Sequence, residues 1–283
     1  GFHGQTVYHN ASSDMQHPLG RQTIQLGDAQ YLAAVSAIDV VHNVRQADMD
    51  QGGEGAPLAP VYHAAVIDAM HNLRPAVLVN IGGVANLTCV SAADGTGLIG
   101  FDTGPGNALL DDFMMSRFAV DYDRDGTLAA TGSADQTILA RWMQHPYFQQ
   151  TWPKSLDRQD FAGLLTTAEF RRLAAAEAAD AAATLTCFTA QTIAHAIGKL
   201  PVTPQSVFVA GGGRRNGTMM QYLASFLPMP LITDPGDGFD ADMLEAELMA
   251  FLAARCHYRL PTSFPGTTGC RQPVSGGQIA RAR

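Results

Sequence analysis

The sequence predicts an α/β protein. Three observations carry that prediction. Residues 76–81 and 206–210 are uncharged apolar runs of strand length, the pattern of strands buried on both faces. Strand, glycine loop and helix follow one another twice, at 98–114 and again from 206 onward. A stretch from 167 to 199 is rich in alanine and carries Leu185, Phe188, Ile193 and Ile197 at helical core spacing.

Taken in order, residues 22–39 read as a short strand, a turn at Gly27-Asp28, and a helix with Tyr31, Leu32, Val35 and Ile38 on one face. Residues 51–57, Gln-Gly-Gly-Glu-Gly-Ala-Pro, hold too much glycine for regular structure. The strand at 76–81 ends at Gly82-Gly83, a second strand spans 85–90, a turn spans 94–97 and a third strand spans 98–101. So close a succession predicts an antiparallel meander, because parallel neighbours need a longer crossover.

Asp102-Thr103-Gly104-Pro105-Gly106-Asn107 reads as the first glycine loop, and Asn107 as the N-cap of a helix presenting Leu109, Leu110, Phe113 and Met114. The helical stretch at 167–199 closes at Gly198 and Pro201. The strand at 206–210 runs into the second loop, Gly211-Gly212-Gly213-Arg214-Arg215-Asn216-Gly217, with a helix from about Thr218. Residues 234–242 form a Gly/Asp-rich loop before a helix at 243–258 with Glu245 in its first turn.

Composition narrows the function classes. With 46% hydrophobic and 16% charged residues in 283, disorder, coiled coil and collagen are excluded. Eighteen Lys and Arg against 26 Asp and Glu give a net charge of −8 with no basic run, which argues against nucleic acid as a partner. Cys89, Cys187, Cys256 and Cys270 form no C-x-x-C, and no Cys/His cluster occurs, so no transition-metal site or disulfide framework is expected and a reducing cytoplasm fits. The uncharged stretch 75–93 is broken by Asn80, Gly82, Gly83, Asn86 and Ser91, and reads as two strands rather than a membrane span. The chain starts at Gly1 without Met, and the expectation is that it is incomplete.

Glycine lets a backbone approach a phosphate closely, and a helix N-terminus presents free N–H groups and a positive dipole end. Two such loops point to a nucleotide, while neither matches G-x-x-x-x-G-K-[ST] nor G-x-G-x-x-G. A plain structural turn is the competing reading of each. Asp102 ends a buried strand, where α/β proteins place catalytic groups, although a turn-capping role explains the position equally. Beside a phosphate loop a carboxylate is repulsive unless it takes a proton from a nucleophile or magnesium neutralises the phosphates. Glu245 is favoured by the helix dipole alone. His3-Gly4-Gln5 suits the edge of a polyol or sugar, or is a satisfied structural histidine. Lys154 and Arg158, with Asp157 and Asp160 near them, read as a solvated face.

These residues resemble the anhydro-N-acetylmuramic acid kinases of bacterial cell-wall recycling. The resemblance runs in order through His3-Gly4-Gln5-Thr6, Gly53-x-Gly55-Ala56-Pro57-Leu58, Asn80-Ile81-Gly82-Gly83-x-Ala85-Asn86-Leu87-Thr88 and Phe101-Asp102-Thr103-Gly104-Pro105-Gly106-Asn107. It continues in His145-Pro146-Tyr147-Phe148, Pro153-Lys154-Ser155, Ala183-Thr184-Leu185-Thr186, Gly211-Gly212-Gly213-x-x-Asn216 and Glu245-Ala246.

The resemblance implies an α/β fold of two RNase-H-like, actin-like ATPase domains around a nucleotide cleft. Residues 1–74 and 240–283 would form the remainder of a first, sugar-side domain incomplete at its N-terminus, and 75–239 a second domain with the nucleotide loops. It further implies that water opens the 1,6-anhydro bridge and that ATP with Mg²⁺ phosphorylates the released O6 in the cytoplasm, with homodimerisation left open. Asp102 would be the general base. His3, Gln5 and Glu245 would bind the amino sugar. Gly82, Gly83, Asn86, Thr103, Gly104, Gly106, Asn107, Gly211, Gly212, Gly213 and Asn216 would contact the nucleotide.

Two departures stand out. The family's N-terminal hairpin, Gly-x-Met-Ser-Gly-Thr-Ser-x-Asp, is absent, and Glu54 stands where the family has Gln. Beside the kinase reading therefore stand an inactive, truncated or degenerate sugar- and nucleotide-binding remnant and a glycosidase using Asp102 and Glu245. Two phosphate cradles would serve no purpose in a glycosidase.

Overall fold

The computed structural model describes residues 1–11, 19–70, 74–92, 97–233 and 243–282. The described chain opens with β1 (Gln5–Asn10), β2 (Gln22–Leu26), α1 (Ala29–Ser36), β3 (Val40–His42), α2 (Gln46–Asp50) and α3 (Pro60–Met70). There follow β4 (Ala76–Ile81), β5 (Val84–Val90), β6 (Leu98–Pro105), α4 (Ala108–Phe118), α5 (Gln136–Trp142), α6 (Ala168–Ala176) and α7 (Ala178–Gly198). It ends with β7 (Ser206–Ala210), α8 (Gly217–Phe226), β8 (Leu231–Ile232), α9 (Leu244–His257), α10 (Pro265–Thr268) and β9 (Gln278–Ala280).

The chain divides into two compact units, Gly1–His71 with Ala92–Gly100 and Asp242–Arg283, and Asn72–Ser91 with Phe101–Ala241. In the second unit five strands stand in the order β6-β5-β4-β7-β8. β5 runs antiparallel to β4, pairing Ala76 with Val90 and Ile81 with Ala85, whereas β7 and then β8 run parallel on the other side. Counted along the chain this is 3-2-1-4-5, the RNase-H-like order. β4 and β7 are buried almost throughout, as fully apolar central strands must be.

Behind the sheet lies α7, whose buried positions include Leu185, Phe188, Ile193 and Ile197. An aromatic core of Phe113, Trp142, Phe148, Phe161, Phe170 and Phe188 packs with it. Six or so rings at edge and tilted angles stabilise both by area and by quadrupole geometry. The helical stretch at 167–199 is two helices rather than one, interrupted at Glu177 with extended-type backbone (φ −140°, ψ 89°).

The first unit holds two two-stranded sheets among its described residues, β1 with β2 and β3 with β9, both antiparallel. α1 seats Ala29 and Ala33 against Val40, Ala280 and Phe2. This corrects the expected apolar face. Tyr31, Val35 and Ile38 are 67%, 62% and 66% exposed, and only small residues meet the sheet. Buried Asp48 ties three segments together: its carboxylate accepts from Gly55 N–H at 2.7 Å, Thr268 Oγ1–H at 2.6 Å and the Ser263 hydroxyl. Residues 51–57 thus form a loop clamped by a charge with three donors, the arrangement a buried carboxylate requires. The Gly/Asp-rich loop expected at 234–242 and the turn at 94–97, apart from Gly97, lie outside the described residues.

Candidate functional site

β6 does not stop at Phe101. It continues through Asp102 and Thr103 to Pro105, so the first glycine loop is mostly strand. Asp102 is consequently held at three atoms by two distant segments. Its N–H donates to Lys154 O at 3.2 Å, its carbonyl accepts from the Tyr147 hydroxyl at 2.5 Å, and its Oδ2 accepts from Leu156 N–H at 2.8 Å. The carboxylate is half-buried. Its oxygen is bonded 54 residues along the chain, which is positioning by tertiary structure rather than local turn capping.

Lys154 is the main correction to the sequence reading. It is buried (8% exposed), not on a solvated face, with Nζ donating to Tyr147 O at 3.1 Å and lying 4.2 Å from the Tyr147 ring centroid. Arg158 is exposed as expected and pairs with Asp112 at 2.7 Å.

The glycine loops converge on one another. Gly106 and Ala108 N–H donate to Gly83 O at 2.9 and 3.2 Å, and Asn107 N–H donates to Gly82 O at 2.7 Å. A Cβ at Gly106 would stand 2.1 Å from Gly82 O, so no larger residue fits that crossing. Asn107 occupies the N-cap position of α4 without a side-chain cap bond; its Nδ2 donates to Ile81 O at 3.3 Å instead. Gly211 has φ +78°, and a Cβ there would meet Asn80 Oδ1 at 2.5 Å and Ile81 O at 2.6 Å.

A cavity of about 360 Å³ opens beside this junction, lined by Asn107, Gly212, Gly213 and Asn216 of the expected nucleotide set. Asp111, Tyr122, Arg124 and Arg215 also line it, and sequence reasoning missed them because no motif spacing joins them to the loops. Burial, and then Asp112 and Asp121, push the Asp111 carboxyl up to about 6 against the pull of Arg158. Asn216 also caps α8, with Oδ1 accepting from Met219 N–H at 2.9 Å. Thr103 faces inward, donating to Ala85 O at 3.1 Å, and Gly104 backs onto Thr192. Asn86 sits on β5 opposite Asn80. Of the expected nucleotide set, Gly82, Gly83, Asn86, Thr103, Gly104, Gly106 and Gly211 do not line the cavity, and neither does Asp102.

In the first unit His3 donates from Nδ1 to Gly4 O at 2.7 Å and accepts at Nε2 from Arg45, whose Nη2 lies at 2.9 Å. A carbonyl can only accept and a guanidinium can only donate, which fixes His3 as the neutral Nδ1–H tautomer. Arg45 also donates from Nη1 to Gly55 O at 2.8 Å, tying His3 to the 53–55 loop. His3 lines a cavity of about 260 Å³ with Gln25, His42 and Asn43. Gln5 is exposed at the start of β1 and Glu245 exposed in the first turn of α9, and neither lines that cavity. Two residues beyond Glu245, Glu247 accepts a hydrogen bond from the Tyr62 hydroxyl, and burial together with this carboxylate raises the Tyr62 pKa.

A carboxylate anchored within β6, glycine loops packed on one another and a cavity beside those loops are the features expected of a phosphotransferase of the α/β class. The family model for anhydro-N-acetylmuramic acid kinase matches residues 1–282, and the chain belongs to that family. The anhydro-N-acetylmuramic acid kinase of Rhodopseudomonas palustris strain HaA2 is 47% identical over 99% of this chain and 72% of its own length. That of Acidiphilium cryptum is 45% identical over 99% and 74%, and the anhydro-N-acetylmuramic acid kinase 2 of Jannaschia is 42% identical over 99% and 71%. Among solved structures, the activator of 2-hydroxyisocaproyl-CoA dehydratase from Clostridium difficile with bound ADPNP covers 70% of this chain and 67% of its own at 16% identity and TM-score 0.44. Xylulose kinase from Rhodospirillum rubrum covers 70% and 50% at 13% identity and TM-score 0.39.

Proposed function

We propose that the chain opens the 1,6-anhydro ring of anhydro-N-acetylmuramic acid by hydrolysis and transfers the γ-phosphoryl group of ATP to the released O6, giving N-acetylmuramic acid 6-phosphate for peptidoglycan recycling. The observation that carries this reading, within a family named for that kinase, is the three-point anchoring of Asp102. Asp102 takes a proton from the water that attacks C1; the C1–O6 bond breaks, and O6 attacks the γ-phosphorus as the bond to the β-phosphate oxygen breaks. A base held on a strand by N–H, carbonyl and carboxylate contacts loses little reorganisation on reaching its water.

The nucleotide side fits the residues present. The 360 Å³ cavity suits a nucleoside, with the Tyr122 ring, the Gly212 and Gly213 backbone and the Arg215 guanidinium as contacts. When bound, Mg-ATP supplies the phosphoryl group and the charge that lets two anions meet, and magnesium of this kind is held largely by phosphates and water. Among the described residues no three His, Cys, Asp or Glu form a metal cluster. Dependence on ATP makes the cytoplasm the compartment of action. His3 would orient the sugar through Arg45, with Gln5 and Glu245 as further contacts.

A second reading has one observation in its favour. The N–H groups of Gly106, Asn107 and Ala108 are already taken by Gly82 and Gly83 carbonyls, so these three donors are not open to a phosphate. A binding remnant without turnover would show this. Incubation with the anhydro sugar, with and without Mg-ATP, separates the readings by mass spectrometry of the product. ATP-dependent phosphosugar is the expected result; ring opening without ATP, or sugar binding without any product, overturns the kinase reading.

A further inference from the structure

We infer that Lys154 is a positioning residue for the Asp102 carboxylate, an inference that rests on Asp102 being the base. A lysine on a solvated loop would keep its ammonium in water. This one is buried, between Tyr147 and Phe101, with Nζ 4.2 and 5.5 Å from the two ring centroids. Phe101 is itself held by a parallel stack on Trp152, 5.6 Å between centroids at 10°. The ammonium donates to Tyr147 O at 3.1 Å.

What the ammonium joins is the point. The three contacts that hold Asp102 come from Tyr147 Oη, Lys154 O and Leu156 N, that is, from the two segments that the Lys154 side chain fastens together. Rings alone would pack as well against a leucine or methionine at this position, at no electrostatic cost. Burial of the ammonium does carry a cost. It brings the Lys154 pKa down to about 8, with Lys199, just past the end of α7, adding to the fall and Asp102 of β6 opposing it. The other titratable and charged groups on these segments are His145 and Tyr147 at 145–149, Asp180, Cys187 and His195 on α7, and Asp157, Arg158 and Asp160 on the loop of Lys154 itself. The cation therefore acts on Asp102 in two ways, by holding its donors in place and by favouring the charged carboxylate.

The sign of the second effect gives the test. Losing a nearby positive charge raises a carboxylate pKa, so Lys154→Met moves the acid limb of kcat/KM upward by about half to one pH unit, while Lys154→Arg leaves it in place. In Lys154→Met kcat falls at least about tenfold at pH 7, as expected when a general base is misplaced, with ATP affinity within twofold of wild type. A role in packing alone predicts lower thermal stability with an unmoved acid limb, and that result overturns the inference. Tyr147→Phe deletes only the hydroxyl donated to Asp102 O, and serves if Lys154→Met does not fold. A several-fold lower kcat in Tyr147→Phe supports the clamp, and wild-type kcat in it overturns the clamp. Asp102→Asn keeps the two levels apart. Phosphosugar formation at the wild-type rate in that variant defeats the reading of Asp102 as base. An inactive Asp102→Asn beside a Lys154→Met of wild-type rate and pH profile defeats Lys154 alone.

Discussion

Asp102 and His3 are both half-buried polar side chains singled out by motif, yet the structure treats them differently. Asp102 is fixed by donors and acceptors from two loops remote in sequence, over 45 to 54 residues. His3 is fixed by its own neighbour Gly4 and by one guanidinium, and both its ring nitrogens are engaged in doing so. The carboxylate is thus built into the sheet framework before any ligand arrives, whereas the imidazole has no unused ring nitrogen to offer a sugar hydroxyl. On the proposed reading, the base is preorganised within the second unit, while sugar recognition in the first unit would pass through Arg45 and the 53–55 loop, with His3 holding Arg45 in place.

The largest way to break this contrast is at Asp102. Replacing it by Asn keeps size and the Leu156 contact but removes the basic oxygen, and phosphosugar turnover is expected to fall by about 10³-fold, the usual scale for a general base. Nucleotide affinity, measured by calorimetry, should stay within a factor of two. A preserved turnover would make the three-point anchoring purely architectural.

On the other side of the comparison, Arg45→Lys retains a charge but cannot donate both to His3 Nε2 and to Gly55 O with the same fork. The KM for the anhydro sugar is expected to rise about tenfold, roughly the cost of one charge-assisted hydrogen bond, with kcat much less affected. A fall confined to kcat would mean that His3 acts on the reacting atoms rather than on binding.

Much of this was legible in the residues, and the failures share a cause. The strands at 76–81 and 206–210 could be read because runs of Val, Leu, Ile and Phe bounded by glycine leave little else to form. Asp102-Thr103-Gly104-Pro105 reads as a loop by composition, and becomes strand because β5 lies beside it to pair with it. Lys154 stands among Asp157, Arg158 and Asp160, so its surroundings in sequence are all polar. The rings that bury it, Phe101 and Tyr147, come from other segments and no spacing announces them. The nucleotide cavity shows the same division. Its glycines were visible as loops, but Asp111, Tyr122 and Arg124 join them only through the packing of α4 and the turn that follows it.

Smaller effects sharpen the nucleotide side. Asn216 both caps α8 and lines the cavity, so Asn216→Ala should lower stability by about 1 kcal/mol from the lost cap and weaken ATP binding as well. Thermal melts with and without ATP read both effects from one preparation. Equal ligand-induced shifts in variant and wild type would confine Asn216 to capping.

Asp111 offers the finest test, because it lines the same cavity and its folded-state pKa, about 6, lies above the ordinary carboxylate value of 3.8. A carboxyl raised in this way binds its proton more tightly when folded. Ionising it therefore costs folding stability, a cost absent below about pH 4, growing as pH rises towards 6, and constant above. Asp111→Asn removes the group that ionises, so the variant should be more stable than wild type at pH 7, on the order of 1 kcal/mol after allowing for solvent screening of a half-exposed group. The advantage should vanish by about pH 4. A raised carboxylate pKa also means that a wild-type cavity holds less negative charge at pH 6 than at pH 8, which eases the approach of a triphosphate. Wild-type ATP affinity should then weaken between pH 6 and 8 more than that of Asp111→Asn, and parallel pH curves for the two proteins would place Asp111 outside the nucleotide contact.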